Sequence, residues 1–110
     1  MSAAPQAPAT SVDAMAENAA EAAEFVKCFA HESRLMILCH LTEGERSVGE
    51  LETLLGARQS AVSQHLARLR LDGIVTYRRE GKTLYYSIAD PRAQRLLTTL
   101  HDLFCAPEAD

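Results

Sequence analysis

Apolar residues recur at helical spacing in five stretches of this chain, and between the fourth and fifth the period shortens to that of strands. The sharpest helical signal flanks Gly56. Val48, Leu51, Leu54 and Leu55 make one stripe before it, and Val62, Leu66 and Leu69, at i, i+4 and i+7, make another after it. Ser47 with Glu50 three residues on is a capping box: the hydroxyl accepts from a free amide at the helix start and the carboxylate reaches back. Two short helices joined by a tight turn are a helix-turn-helix.

Upstream, residues 1–12 are rich in Ala, Pro, Ser and Thr without an apolar period, and read as a disordered tail. From about Asp13 an alanine-rich helix carries Met15, Ala19, Ala22, Val26 and Phe29 on one stripe, with Phe25 beside it. A face built mostly of alanine lets another helix approach closely. Residues 29–33 break the pattern before a second helix over roughly 34–42, with Leu35, Leu38 and Leu41 as core and Cys39 near its end.

After Gly73, read as a left-handed cap, the pattern turns to β-branched and aromatic residues. Residues 74–79 and 83–88 are predicted strands, with a turn at Glu80-Gly81-Lys82. Asp90 and Pro91 then cap a last helix whose Ala93, Leu96, Leu97, Leu100, Leu103 and Phe104 are too apolar to face water. The expected fold is mainly α with a small β-hairpin: four helices, a two-stranded wing and a fifth helix. Residues 13–105 make one winged helix-turn-helix domain, and residues 106–110 a flexible tail. The first and last helices are expected to form a two-fold homodimer.

Length sets the limit at one domain, since 110 residues support a single modest core. A net charge of −4 argues against nucleic acid only until it is divided along the chain. Residues 58–95 hold eight bases and three acids, whereas residues 1–57 hold nine acids and three bases. Positive charge therefore gathers on the second helix of the motif and on the hairpin. Opposite the Val62 stripe lie Ser60, Ser63, Gln64, Ala67 and Arg68, with Gln59, His65 and Arg70 on the flanks. Amides, hydroxyls and guanidinium groups read base edges in a major groove and hold phosphates. Arg58 stands at the helix start, and Arg78, Arg79 and Lys82 crowd the wing, where they can straddle a phosphate backbone. Double-stranded DNA is the expected partner.

The chain has no apolar segment of membrane-spanning length, and its start lacks the basic residues and apolar run of a secretion signal, so a cytoplasmic location is expected. Cys28, Cys39 and Cys105 are too scattered for a disulfide framework, and there is no Cys-x-x-Cys. Neither a Ser/His/acid set nor a phosphate-binding glycine loop is present, so enzymatic activity has no support.

The run from Gln59 through Ser63-Gln64-His65-Leu66 to Leu69, with Val48-Gly49-Glu50-Leu51 before it and Gly81-Lys82-Thr83-Leu84-Tyr85-Tyr86 after it, resembles the ArsR/SmtB repressors. The resemblance spans about residues 20–105 and implies a homodimeric bacterial repressor that an inducer releases from an imperfectly palindromic operator. Arg58 departs from the Ser or Thr that usually caps the reading helix. The Cys-x-Cys with which many members bind metal falls on Ser47 and Gly49, which cannot ligate a soft metal. On the last helix, Asp90, His101 and Asp102 do not have the spacing of the other familiar metal site. No cofactor is implied.

The placing of Cys39 and Cys105 resembles the persulfide-responsive subgroup of the family, which implies a dithiol that detects reactive sulfur; Cys28 matches neither position. Both thiols lie near helix C-termini, where the dipole disfavours a thiolate. Fast attack on peroxide is therefore not expected, whereas exchange with an electrophilic sulfane sulfur needs only a minority thiolate. Two alternatives stand beside this reading: a metal-responsive repressor using Cys39, His101 and Cys105, and a constitutive DNA-binding module with inert cysteines.

Overall fold

The computed structural model describes residues 11–105. Its elements are α1 (Val12–Lys27), α2 (Glu32–Leu41), β1 (Arg46–Ser47), α3 (Val48–Leu55), α4 (Gln59–Leu71), β2 (Val75–Glu80), β3 (Thr83–Ile88) and α5 (Pro91–Phe104). The five helices and the hairpin appear in the expected order, although α1 ends at Lys27, short of Phe29, and α2 starts before residue 34. The expected tails lie outside the described residues, save that Ser11 caps α1 and the helix begins at Val12, one residue early.

Three ends explain how local sequence fixes the frame. Ser47 Oγ accepts from Glu50 N at 3.1 Å and Glu50 Oε1 accepts from Ser47 N at 2.8 Å, which completes the capping box of α3. Gly56 ends α3 in the left-handed conformation, φ 63°, where any other residue would be strained. The start of α2 was misplaced by the sequence: His31, rather than a more usual cap, accepts from Ser33 N through its ring nitrogen at 3.1 Å, and the helix begins at Glu32.

The sheet has order β1-β3-β2, all antiparallel. β1 was not foreseen, because it is two residues long and doubles as the cap of α3; Ser47 pairs with Tyr85 and Arg46 with Tyr86. Glu80 pairs with Thr83, so the turn narrows to Gly81 and Lys82, with glycine first at φ 64°.

The core lies between α2, α3, α4 and the base of the wing, around Ile37, Leu38, Leu51, Val62, Leu66, Leu69 and Ile74. Burial of side chains of this size is what holds such a domain together, at about 1.5–3 kcal/mol each. α1 has no fully buried residue. It is tied down at its end by Phe25 stacking on Phe29, ring centroids 5.1 Å apart, and by Arg92, which reaches Glu21 at 3.2 Å and lies over the Phe25 ring. The radius of gyration, 17.1 Å, exceeds the roughly 13 Å of a compact chain this long. Val12, Met15 and Val26 on α1 and Leu103 and Phe104 on α5 stay largely exposed.

Candidate DNA-reading surface and cysteine pair

α4 presents the face its sequence promised. Val62, Leu66 and Leu69 are buried, which turns Gln59, Ser60, Ser63 and Gln64 outward. Arg58 is the N-cap but makes no side-chain cap bond, so the guanidinium is left at the helix start while the end of α4 goes without a capping hydroxyl. On the wing, Arg79 and Lys82 are exposed and make no ion pair among the described residues.

The other expected contacts are already engaged. Arg78 Nε donates to both carboxylate oxygens of Glu45 at 2.9 Å, and the guanidinium lies over the Tyr85 ring. Arg68 donates to Asp72 at 3.0 Å, one turn on. Arg70 stacks on Tyr77, 4.3 Å from the ring centroid, which braces the reading helix against the wing. His65 is half-buried, its ring packed on that of His31 with centroids 4.6 Å apart. Burial, then His31 and Arg34, hold its pKa below the ordinary histidine value. Among the described residues, the expected phosphate contacts that make no ion pair are thus Arg58, Arg79 and Lys82, and the exposed polar readers are Gln59, Ser60, Ser63 and Gln64.

The cysteines occupy three environments. Cys28 is buried, and its thiol donates to Asp72 Oδ2 at 3.4 Å and to the Glu24 carbonyl at 3.6 Å. Desolvation first, then the Asp72 carboxylate, push its pKa up to about 11. The partner that makes Cys28 a donor lies 44 residues away, where no local pattern could show it. Cys39 is half-buried at the end of α2, on a cleft of about 340 Å³ walled by Thr42 and Glu43 on one side and Gln94, Leu97, Thr98 and His101 of α5 on the other. Burial raises its pKa, and charge on Cys105 and then on Glu43 raises it further. Cys105 is exposed and caps α5, its N–H donating to the His101 carbonyl at 2.8 Å. Its backbone has left the helix, φ −110° and ψ 105°, so its direction does not follow the helical step. Among the described residues no three His, Cys, Asp or Glu side chains converge to hold a metal, and the set Cys39, His101 and Cys105 is not assembled.

The sequence profile described as "Bacterial regulatory protein, arsR family" matches residues 31–77, from the cap of α2 to the middle of β2. The chain is also 50% identical over 95 residues to the biofilm growth-associated repressor of Agrobacterium fabrum, across 86% of this chain and 81% of the relative. It belongs to the arsR family. The arsR-family chain is likewise 45% identical over 91 residues to the transcriptional activator HlyU of Vibrio cholerae, across 83% of this chain and 84% of HlyU. The crystal structure of the transcriptional repressor BigR from Xylella fastidiosa superposes with a TM-score of 0.84 at 41% identity, covering 89% of this chain and all of that one. The protein is therefore a DNA-binding transcriptional regulator of winged helix-turn-helix fold rather than an enzyme. No helix among the described residues is long and apolar enough to cross a membrane. The matched stretch is the reading head alone; α1, α5 and Cys105 lie outside it.

Proposed function

We propose that this arsR-family protein is a homodimeric cytoplasmic repressor that holds an imperfectly palindromic operator and releases it when sulfur bridges Cys39 to Cys105. One observation carries the reading. Cys39 opens on the cleft between α2 and α5, and Cys105 caps α5 near enough for its charge to hinder ionisation of Cys39. The repressor sense is supported by the Agrobacterium relative, which is named a repressor. The dimer reading is supported by the apolar side chains that α1 and α5 leave exposed in the single chain.

In this reading Ser60, Ser63 and Gln64 reach base edges while Arg58, Arg79 and Lys82 neutralise phosphates. Arg68, Arg78 and His65 act mainly by holding the frame, through Asp72, Glu45 and His31. The sulfur chemistry is exchange. A thiolate of the pair attacks the outer sulfur of a persulfide R–S–SH, forming Cys–S–SH and releasing R–S⁻. The second thiolate then attacks the Sγ of that persulfide, breaking its bond to the outer sulfur, displacing HS⁻ and closing a disulfide. Where Cys–S–S⁻ has first taken a second sulfur from another R–S–SH, releasing R–S⁻, attack on the middle sulfur displaces HS⁻ and closes a trisulfide. Drawing the end of α5 onto α2 alters the angle between the two reading helices of the dimer, and half-sites about one helical turn apart then lose contacts in both grooves together. A hundredfold loss of affinity needs a differential of about 2.7 kcal/mol, within ordinary allosteric coupling.

The test is intact mass and DNA binding on the same samples. Persulfide is expected to bridge Cys39 and Cys105, read as the loss of two hydrogens with or without whole added sulfur atoms, and to release the duplex, and a thiol reductant to restore binding. Cys39→Ser and Cys105→Ser should bind normally and ignore persulfide, while Cys28→Ser still responds. A Cys39→Ser, Cys105→Ser double variant that still lets go on adding persulfide defeats the reading.

A further inference from the structure

His65 stands on the reading helix yet is turned inward. It meets His31, the residue that caps α2, ring to ring at 4.6 Å. The His31 cap works only through an unprotonated ring nitrogen, because Nδ1 accepts the Ser33 N–H at 3.1 Å. A proton there would set N–H against N–H. Nor does anything around His65 welcome a proton. The groups that shift it are His31 and Arg34, both from α2 and both lowering its pKa. On its own helix Arg68 lies three residues on, paired with Asp72, and at the end of α1 Lys27 pairs with Glu24. Arg34 itself is spent on the carbonyls of Cys28 and Lys27.

We propose that His31 and His65 are positioning residues: their contact seats the reading helix α4 on α2, and it holds only while both rings are neutral. Acidification unseats α4. A cation on half-buried His65 loses solvation and faces Arg34, and a proton on His31 Nδ1 removes the acceptor that caps α2. The groove readers Ser60, Ser63 and Gln64, all on the helix so displaced, then lose register with the bases. Phosphate attraction acts in the opposite direction, since added positive charge near DNA strengthens binding to any sequence. The two effects separate by sequence dependence: loss of seating lowers affinity for the preferred duplex, and added charge raises affinity for all.

The experiment uses the full chain, reduced and without any sulfur donor, so its outcome is independent of the dithiol reading. The probes are a duplex enriched from a random pool for binding at about pH 7.5 and an unselected duplex of equal length. Between about pH 7.5 and pH 5.5, across the ordinary range of histidine, affinity for the selected duplex is expected to fall about fivefold or more. Affinity for the unselected one should hold or rise. His65→Phe keeps a ring in the contact and His31→Asn keeps a side-chain oxygen for the cap, yet neither titrates; each should flatten the slope for the selected duplex. Should either variant fold poorly, the other and the melting curves of both decide. A native slope that is absent, or one that survives in both variants, overturns the proposal.

Discussion

Replacing Phe104 with alanine should split the dimer and leave the protomer intact. Phe104 is 81% exposed and Leu103 71% exposed at the end of α5, whereas Leu97, two turns earlier on the same helix, is 5% exposed and belongs to the core of its own chain. The apolar stripe read from the sequence as one interface is thus divided in two. Ala93 and Leu97 serve the protomer, and the distal residues face outward. Covering a phenylalanine contributes about 2 kcal/mol, and a two-fold axis places each residue in the interface twice. Phe104→Ala therefore costs about 4 kcal/mol of association, a roughly thousandfold rise in the dimer dissociation constant. Sedimentation over a concentration series should show the native protein as a dimer and the variant as largely monomeric at micromolar levels, with DNA affinity lost alongside. Leu97→Ala should behave otherwise, lowering Tm by about 10 °C or more through a core cavity of about 2–5 kcal/mol. A native protein that sediments as a monomer, or a Phe104→Ala variant with unchanged dissociation, refutes the reasoning.

The reading surface gives a graded expectation. Lys82→Ala and Arg79→Ala should weaken selected and unselected duplexes alike and flatten the salt dependence by about one unit each. Arg78→Ala should do less, because its guanidinium is held by Glu45. Gln64→Ala should instead cost about 1–3 kcal/mol of discrimination between the duplexes, and equal losses on both would place Gln64 outside the groove. A third expectation concerns alkaline pH. The folded pKa of Cys28 is raised to about 11, so the stability it contributes is complete below the ordinary thiol value and is lost as pH rises towards 11. Thermal melts of the native protein and Cys28→Ala should converge over that window; a constant gap between them excludes the thiol as the cause.

Local signals carried most of the fold, and their limits have physical causes. The capping box at Ser47 and Glu50, the Gly56 stop and the Asp90-Pro91 start each act within four residues, so each could be read directly and each is in place. The start of α2 could not, because histidine caps through a ring nitrogen only when neutral and is rarely chosen for the purpose. β1 escaped because two residues carry no period; only pairing with Tyr85 and Tyr86, almost forty residues on, makes them a strand.

The reading surface divides along the same line. Outward residues of α4 follow from where Val62, Leu66 and Leu69 are buried, and the helical step delivers them. Which cations are free follows only in part: Asp72 takes Arg68 at i+4, a local spacing, but Glu45 takes Arg78 from 33 residues away. Exposure in sequence terms therefore overstated the electrostatic footprint, whose expected phosphate contacts without an ion pair among the described residues are Arg58, Arg79 and Lys82. The same long-range pairing gives α2 its importance. It is ten residues long, with Cys39 beside α5 near one end and the His31 contact to α4 at the other. A helix that short, with Ile37 and Leu38 completely buried between those ends, moves as a rigid body. In the proposed switch a bridge closed at Cys39 displaces the seat of the reading helix from one end, and loss of the His31 cap displaces it from the other. On the proposals made above, sulfur and acid act on one lever, so the two should weaken operator binding less than additively when applied together.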